Sequence, residues 1–532
     1  MAMNRRHFLE LGVATSALAM VGGLPARAQE GDTIRIALSA SGPRALDPNI
    51  ITQGPDNWAM EQMFEPLVRP PDGQFGTTPD DFEPALATSW ESSDDAKVWT
   101  FHLREGVQFH GGYGTMTADD VIYSFERARF VGGRKTLYAN VADVSAPDPA
   151  TVVVTLNDPD PLFLGSSVYS PQAFVVSRKA HEEIGEEAWA TGAVGTGPYQ
   201  LDRFDAESGV YLSAFPDYWD EAARTPKLEV LYIADTTART LALLSGNVDM
   251  IEAVRSPGWV DSMLQRDPSL LFDMTVPGSF NTLHFNLTRA PFDNLLVRKA
   301  IAHAIDREAV AQAMAPMGGV MYGLEPPDFP AGFDIEEYPE DLRYEYDPDK
   351  ARALLAEAGY PDGLTFSNYI SQREDYSSSM LIVQELLRAV GITMNMQIID
   401  HTAFHADNRT DKNTLIMHAS SYPPIPLQLY LDYLSTASEV KADGTGGSNY
   451  SHYGVAIPGV DDLIAKAGAA TSFDDYLAIC EQIDLQVRRD LPVMGLGTLS
   501  YTIARSPRVD LGYEVKSGYA RWRLHKATLA TL

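Results

Sequence analysis

Catalysis and metal binding need particular side chains at particular spacings, and this 532-residue chain offers few of them. His181-Glu182-Glu183 begins like a zinc-protease helix, in which histidines at i and i+4 hold the metal and the glutamate acts as base. Position 185 is Gly185, so the second histidine is missing. His401 and His405 are four apart and could share a helix face, but no carboxylate or cysteine is placed to complete a ligand set. The simpler reading of that pair is two solvated or capping histidines. The sequence holds no GxxxxGK(S/T) phosphate loop, no GxSxG nucleophile elbow and no SxxK. Gly111-Gly112-Tyr113-Gly114 follows a strand-like stretch but lacks the βαβ unit and acidic residue of a dinucleotide site. The single cysteine, Cys480, permits neither an intramolecular disulfide nor a CxxC knuckle. Binding is therefore better supported than bond-making chemistry. We expect no enzyme activity, no cofactor and no resident metal.

Composition agrees. Lys and Arg number 41 and Asp and Glu 72, a formal net charge of −31 that lacks the basic face a nucleic-acid binder needs. Hydrophobic residues make up 45% and charged residues 21%, ordinary for a globular protein with a large core.

The elements that must position any site alternate between strand and helix. Ile34 to Leu38 reads as a first strand, and Trp99, Phe101 and Leu103 alternate with polar residues as a half-buried strand. Thr117-Ala118-Asp119-Asp120 predicts a capped helix start, followed by Val121, Ile122, Phe125 and Ala128 at helical spacing. Thr151–Leu156 and 392–399 read as strands. Asp293 opens a helix carrying Val297, Ile301, Ala304 and Ile305, and Asp347-Pro348 opens another that stops at Gly359. Gly195-Thr196-Gly197-Pro198 reads as a tight turn, and 323–330 and 443–448 read as exposed loops. The pattern predicts an α/β class with several layers.

At the N-terminus, Arg5-Arg6 precedes an uncharged stretch from Leu11 to Leu24 and then Ala26-Arg27-Ala28. That is the order of an export signal, with paired arginines resembling the twin-arginine type. Residues 1–28 are expected to be removed and the mature chain to reside in the periplasm. The stretch is shorter than the roughly 20 residues of a membrane span, and no other run is long and apolar enough.

Many short motifs, in order along the mature chain, resemble those of the bacterial extracellular solute-binding proteins of family 5, the dipeptide, oligopeptide and nickel-binding components of ABC importers. They include Leu46-Asp47-Pro48, Phe64-Glu65-Pro66-Leu67-Val68, Pro84 to Glu91, Thr100 to Val107 with Phe109-His110, and Val194 to Tyr199. Asp217-Tyr218-Trp219, Leu243 to Asp249, Phe285-Asn286, Pro291-Phe292-Asp293 with Val297 to Ile301, Ala304 to Arg307 and Tyr346-Asp347-Pro348 continue the series. The resemblance implies a two-lobed periplasmic binding protein of type II that closes like a hinge on a solute between its lobes. By this analogy residues 30–61, 199–285 and 495–532 form the first lobe, 62–198 an inserted subdomain and 286–494 the second lobe. The implied partners are a small-molecule or peptide solute and a permease and ATPase complex in the inner membrane. The protein is expected to act as a monomer without nucleic acid.

The resemblance also implies where a solute would bind. Peptide binders of the family hold the peptide's amino group with an aspartate after a tryptophan. In the matching stretch His418 stands where the tryptophan is expected and Ser421 where the aspartate is expected. A serine cannot neutralise a buried ammonium. Arg373 lies near the position of the family's carboxylate-binding arginine, a task suited to bidentate geometry. Ser41, Trp58 and Asn281 are the implied polar and stacking contacts, and Tyr113, Tyr169 and Tyr422 the implied aromatic walls. The main expectation is a peptide or peptide-like solute. An oligosaccharide or opine-like solute is the alternative favoured by Ser421, and a nickel chelate, which would use His418 and His284, comes last.

Overall fold

The computed structural model describes residues 32–49, 54–131, 138–518 and 521–530. The expected leader, 1–28, lies outside them. Among the described residues no helix is long and apolar enough to cross a membrane.

A nine-stranded mixed sheet forms the backbone of the molecule. Its path runs from Leu415–Ser420 through the two longest strands, Leu271–Phe285 and Val493–Arg505, to Met250–Glu252, Thr33–Leu38, Lys227–Tyr232, Gly209–Ala214 and Tyr199–Asp205, with Gly318–Gly319 pairing off that path. Thr33–Leu38 is parallel to both of its neighbours. Its Ile34, Ile36, Ala37 and Leu38 are all buried, as expected of a central strand covered on both faces. Val98–Leu103 lies inside a four-stranded antiparallel sheet with Ala87–Ser92, Val141–Asp148 and Thr151–Leu156. Trp99, Phe101 and Leu103 face the core while His102 is exposed, the alternation read from sequence. Leu364–Ser371 and Ile392–Ile399 pair in parallel, joined by the helix Glu374–Ala389.

Two large hydrophobic cores result. One gathers residues from Ile34 to Met250 and, after a long return, from Tyr501 to Ala527. The four-stranded sheet belongs to this same core. The other gathers Phe280 to Leu496, joined by Leu162. The strand Val493–Arg505 contributes to both, and its partner Leu271–Phe285 contributes to the second.

Helix starts follow cap chemistry. The Thr117 backbone N–H donates to the Asp120 carboxylate at 3.0 Å at the head of Ala118–Phe130. Asp347 accepts from the N–H groups of Asp349 and Lys350 before Pro348–Glu357. The helix expected from Asp293 is capped one residue later, by Asn294, which accepts from Leu296 N at 2.9 Å.

Three of the short motifs meet at one buried carboxylate. Glu65 is 2% exposed and accepts from Thr196 Oγ1 at 3.0 Å, Tyr218 OH at 2.7 Å and Trp219 Nε1 at 2.7 Å. Arg69 and Arg523 stand 3.8 Å from Oε1, the oxygen that also accepts from Tyr218. A buried carboxylate is tolerable only when it is paired and hydrogen-bonded in this way. The glycines of 195–198 serve this packing rather than a left-handed turn. A Cβ on Gly195 would sit 2.2 Å from Met63 O, and one on Gly197 2.7 Å from Gln62 O.

The segment 323–330 is not the exposed loop its prolines and acids predict. Leu324, Glu325 and Phe329 are buried, and Phe329 packs edge-on against Phe75 and Phe280. Glu325 is buried, its carboxyl pushed up to about 8 by burial and by the charge of Asp484. A carboxyl raised in the folded state keeps its full contribution below the unfolded value of 4.5 and loses stability as pH rises to about 8. We expect Glu325→Gln to flatten this decline, which has a slope of up to about 1.4 kcal/mol per pH unit. Urea unfolding at pH 5 and at pH 8.5 checks it: the variant gains on the wild type only at the higher pH.

Candidate functional site

A cavity of about 340 Å3 lies between the two cores and merges through Ser166, Ser421, Tyr422, Pro423 and Gln428 with a more open one of about 920 Å3. Pockets of 300–1,000 Å3 at domain interfaces are the usual setting for small-molecule sites.

The wall on the first core is built at strand ends. Glu252 closes the strand Met250–Glu252, and Arg255 follows three residues on, before the helix Trp259–Arg266. Gly278 and Ser279 reach the cavity at an irregularity in the long strand pair, where both oppose Leu499. Gly278 has φ +73°, and a Cβ there would meet Leu499 O at 2.3 Å, so only glycine lets the bulge form. Tyr501 completes this wall. Its hydroxyl accepts from Trp58 Nε1 at 3.1 Å, and its acidity is suppressed by burial, reinforced by Glu252 and opposed by Trp58 and Arg255. Arg521 also lines the cavity and donates to Glu61 at 2.8 Å.

The wall on the second core comes from the turn after Leu415–Ser420 and from the helix Pro426–Tyr433. Ser421 is exposed there, and the Tyr422 hydroxyl donates to Asp432 at 2.9 Å. Behind them His418 and the Tyr433 hydroxyl form a 2.7 Å hydrogen bond, and Tyr433 is 2.5 Å from Ser420 Oγ. His418 is lowered to about 3, first by burial and then by His405 and Arg409. It therefore meets the larger cavity as a neutral ring.

A charged contact also links the two walls. Arg255 stands 4.0 Å from Asp375, which begins the helix Glu374–Ala389 and is gripped by Arg373 at 3.0 and 2.6 Å.

The structure thus brings together His418, Ser421 and Tyr422 of the residues proposed from sequence. Arg373 sits behind the wall, clasping Asp375. Trp58 is fully buried and lines neither cavity, and its Nε1–H donates to the Tyr501 hydroxyl. Asn281 is 5% exposed inside the long strand and lines neither cavity, although its Oδ1 has no hydrogen-bond partner. Ser41 is exposed just past the first strand, away from both cavities, and Tyr113 packs on the first core beside Gly111. Tyr169 packs against Phe82 and lines a separate small pocket near Glu65. His401 and His405 are half-buried and do not cap, since Asp400 caps the helix His401–Arg409: their ring centroids lie 4.5 Å apart, edge-on against Tyr376. Among the described residues no three His, Cys, Asp or Glu side chains are placed to hold a metal ion. Sequence reading passed over Glu252, Arg255 and Tyr501. The available signal was the position of Glu252, three residues after the Leu243–Asp249 motif.

The family model described as bacterial extracellular solute-binding proteins, family 5, middle region, matches residues 81–441. The chain belongs to that family. It is 31% identical over 354 residues to heme-binding protein A of Haemophilus influenzae, covering 61% of this chain and 62% of that protein. It is 32% identical over 323 residues to glutathione-binding protein GsiB of Shigella boydii, covering 59% and 60%. The chain thus spans under two-thirds of the length of these relatives. In structure it resembles the binding protein MoaA of A. tumefaciens R10 in complex with mannopinic acid, with TM-score 0.76, 27% identity and coverage of 94% and 100%.

Tyr433 supports the His418 wall, and removing its hydroxyl would strand a buried ring nitrogen. Tyr433→Phe should cost about 1–3 kcal/mol in urea unfolding, whereas Tyr433→Trp or Ala would confound that loss with packing. The histidine ring signals should also show no titration of His418 between pH 5 and 8, consistent with its value of about 3.

Proposed function

We propose that this family 5 protein is the solute-capturing component of an ABC import system, and that it holds a peptide or peptide-like solute between its two lobes for delivery to the membrane permease. The observation that carries this reading is the cavity walled by both cores, with Glu252, Arg255 and Tyr501 on one side and Ser421, Tyr422 and Gln428 on the other. A solute touching both walls stabilises the closed arrangement by its differential contacts, which is how a ligand drives hinge closure. The lobes are taken as residues 30–61, 199–285 and 495–532 with the insert 62–198, and 286–494. We place the mature protein in the periplasm as a monomer, exported by a twin-arginine signal over residues 1–28. The relatives named for glutathione support a peptide-like solute.

A second reading, an opine-like or oligosaccharide solute, is favoured by two observations. Ser421 cannot pair with an ammonium, and the mannopinic acid complex is a near structural neighbour. Thermal melting of the mature protein separates the two readings. Binding at a hundredfold excess over Kd adds about 2.7 kcal/mol of stability. We expect a mixture of unmodified di- and tripeptides to raise the melting temperature. A rise confined to opine or sugar-acid solutes would replace the peptide reading with the second one.

A further inference from the structure

Ser421 removes the charge that would pair with a peptide's amino group on the second wall, so a peptide-like solute needs a carboxylate elsewhere. Among the described residues that line the inner cavity, Glu252 is the one carboxylate, and Arg255 and Arg521 are the two cations. Their pairings differ. Arg521 is committed to Glu61 at 2.8 Å. The Glu252 carboxylate accepts one backbone N–H, from Ser39 at 2.9 Å, and makes no ion pair within 4.0 Å among the described residues, although the buried Arg239 donates its Nε–H to the Glu252 carbonyl at 2.9 Å and its charge interacts with the carboxylate. Arg255 has one long contact, 4.0 Å to Asp375, and that carboxylate is already held bidentately by Arg373. One wall therefore carries an acceptor and a donor fork, both half-buried: a carboxylate with one hydrogen bond and Arg239 nearby, and a guanidinium with one long ion pair.

We propose that Glu252 and Arg255 recognise the two ends of a short zwitterionic solute, Glu252 taking the ammonium and Arg255 the carboxylate. The inference rests on the peptide-like reading and deepens it by naming the residues and the length. Backbone positions three apart lie at most about 10 Å from each other, the span of a di- or tripeptide. Tyr501 stands beside both groups: Trp58 fills its acceptor side, which leaves the hydroxyl proton for a solute oxygen. The amine site has thus moved from the second wall to the first. Binding of the carboxylate by Arg255 would add to the contact that already bridges the walls through Asp375.

Three random tripeptide pools test this on the full mature chain: unmodified, N-acetylated and C-amidated. Apparent dissociation constants come from the concentration dependence of the melting temperature. The wild type should bind the unmodified pool about thirtyfold more tightly than either blocked pool. Glu252→Gln should lose the distinction between unmodified and N-acetylated pools but keep that against the amide, and Arg255→Gln should do the converse. Glu252→Asp should restore part of the amine preference. Equal wild-type binding of unmodified and N-acetylated pools overturns the proposal even if a variant fails to fold, and leaves the peptide reading standing. Retained amine discrimination in a folded Glu252→Gln does the same. If no pool shifts the wild type, the peptide reading itself falls, and this assignment with it.

Discussion

One strand, Val493–Arg505, supplies both large cores, and the rest of the molecule depends on it: Tyr501 and Ile503 lie in the first core, Val493, Met494 and Leu496 in the second. Leu271–Phe285 pairs with it from Leu271 opposite Arg505 to His284 opposite Val493, and gives Phe280, Leu283 and Phe285 to the second core. The ladder is broken at Gly278 and Asn281. A bulge bends and twists a strand locally, and here the bend exposes Gly278, Ser279 and Tyr501 to the cavity. The cavity thus opens at an irregularity of the strand that supplies both cores. The positive φ of Gly278 and its close approach to Leu499 O make that geometry dependent on one residue without a side chain.

Charge is handled differently in the cores and at the site. Glu65 is surrounded by three donors and two guanidinium groups, and Arg127 is paired with Asp47 and Glu186. Such saturated networks lock the packing. Glu252 and Arg255 have few partners and face a cavity. The contrast matters in a chain with net charge −31, whose overall field opposes anions. An underused arginine beside the cavity offers a local attraction that the surface as a whole does not.

The fold was legible wherever a local rule sufficed. Alternation placed Trp99, Phe101 and Leu103 in a strand, Asp347-Pro348 started its helix, and Ile392–Ile399 runs as read. The family motifs were legible too, and three of them report one buried junction at Glu65. What failed was tertiary. Glu325 and its prolines look like a surface loop, but the chain folds them beneath Phe329. His401 and His405 pack edge-on against Tyr376, a neighbour that spacing cannot reveal. The site was hardest, because Glu252, Ser421 and Tyr501 come from segments far apart in sequence and meet only when both cores are built. Analogy found the second wall, through His418, Ser421 and Tyr422, where a motif position had changed. It missed the first wall, where no motif marks Glu252 or Arg255.

The central claim is that a solute joins the two cores across this cavity. Small-angle X-ray scattering of the mature chain, with and without a saturating tripeptide pool, tests it most directly. The account predicts a smaller radius of gyration with solute and unchanged far-ultraviolet circular dichroism. An unchanged scattering profile, in a sample whose melting temperature shows the site to be filled, would contradict it.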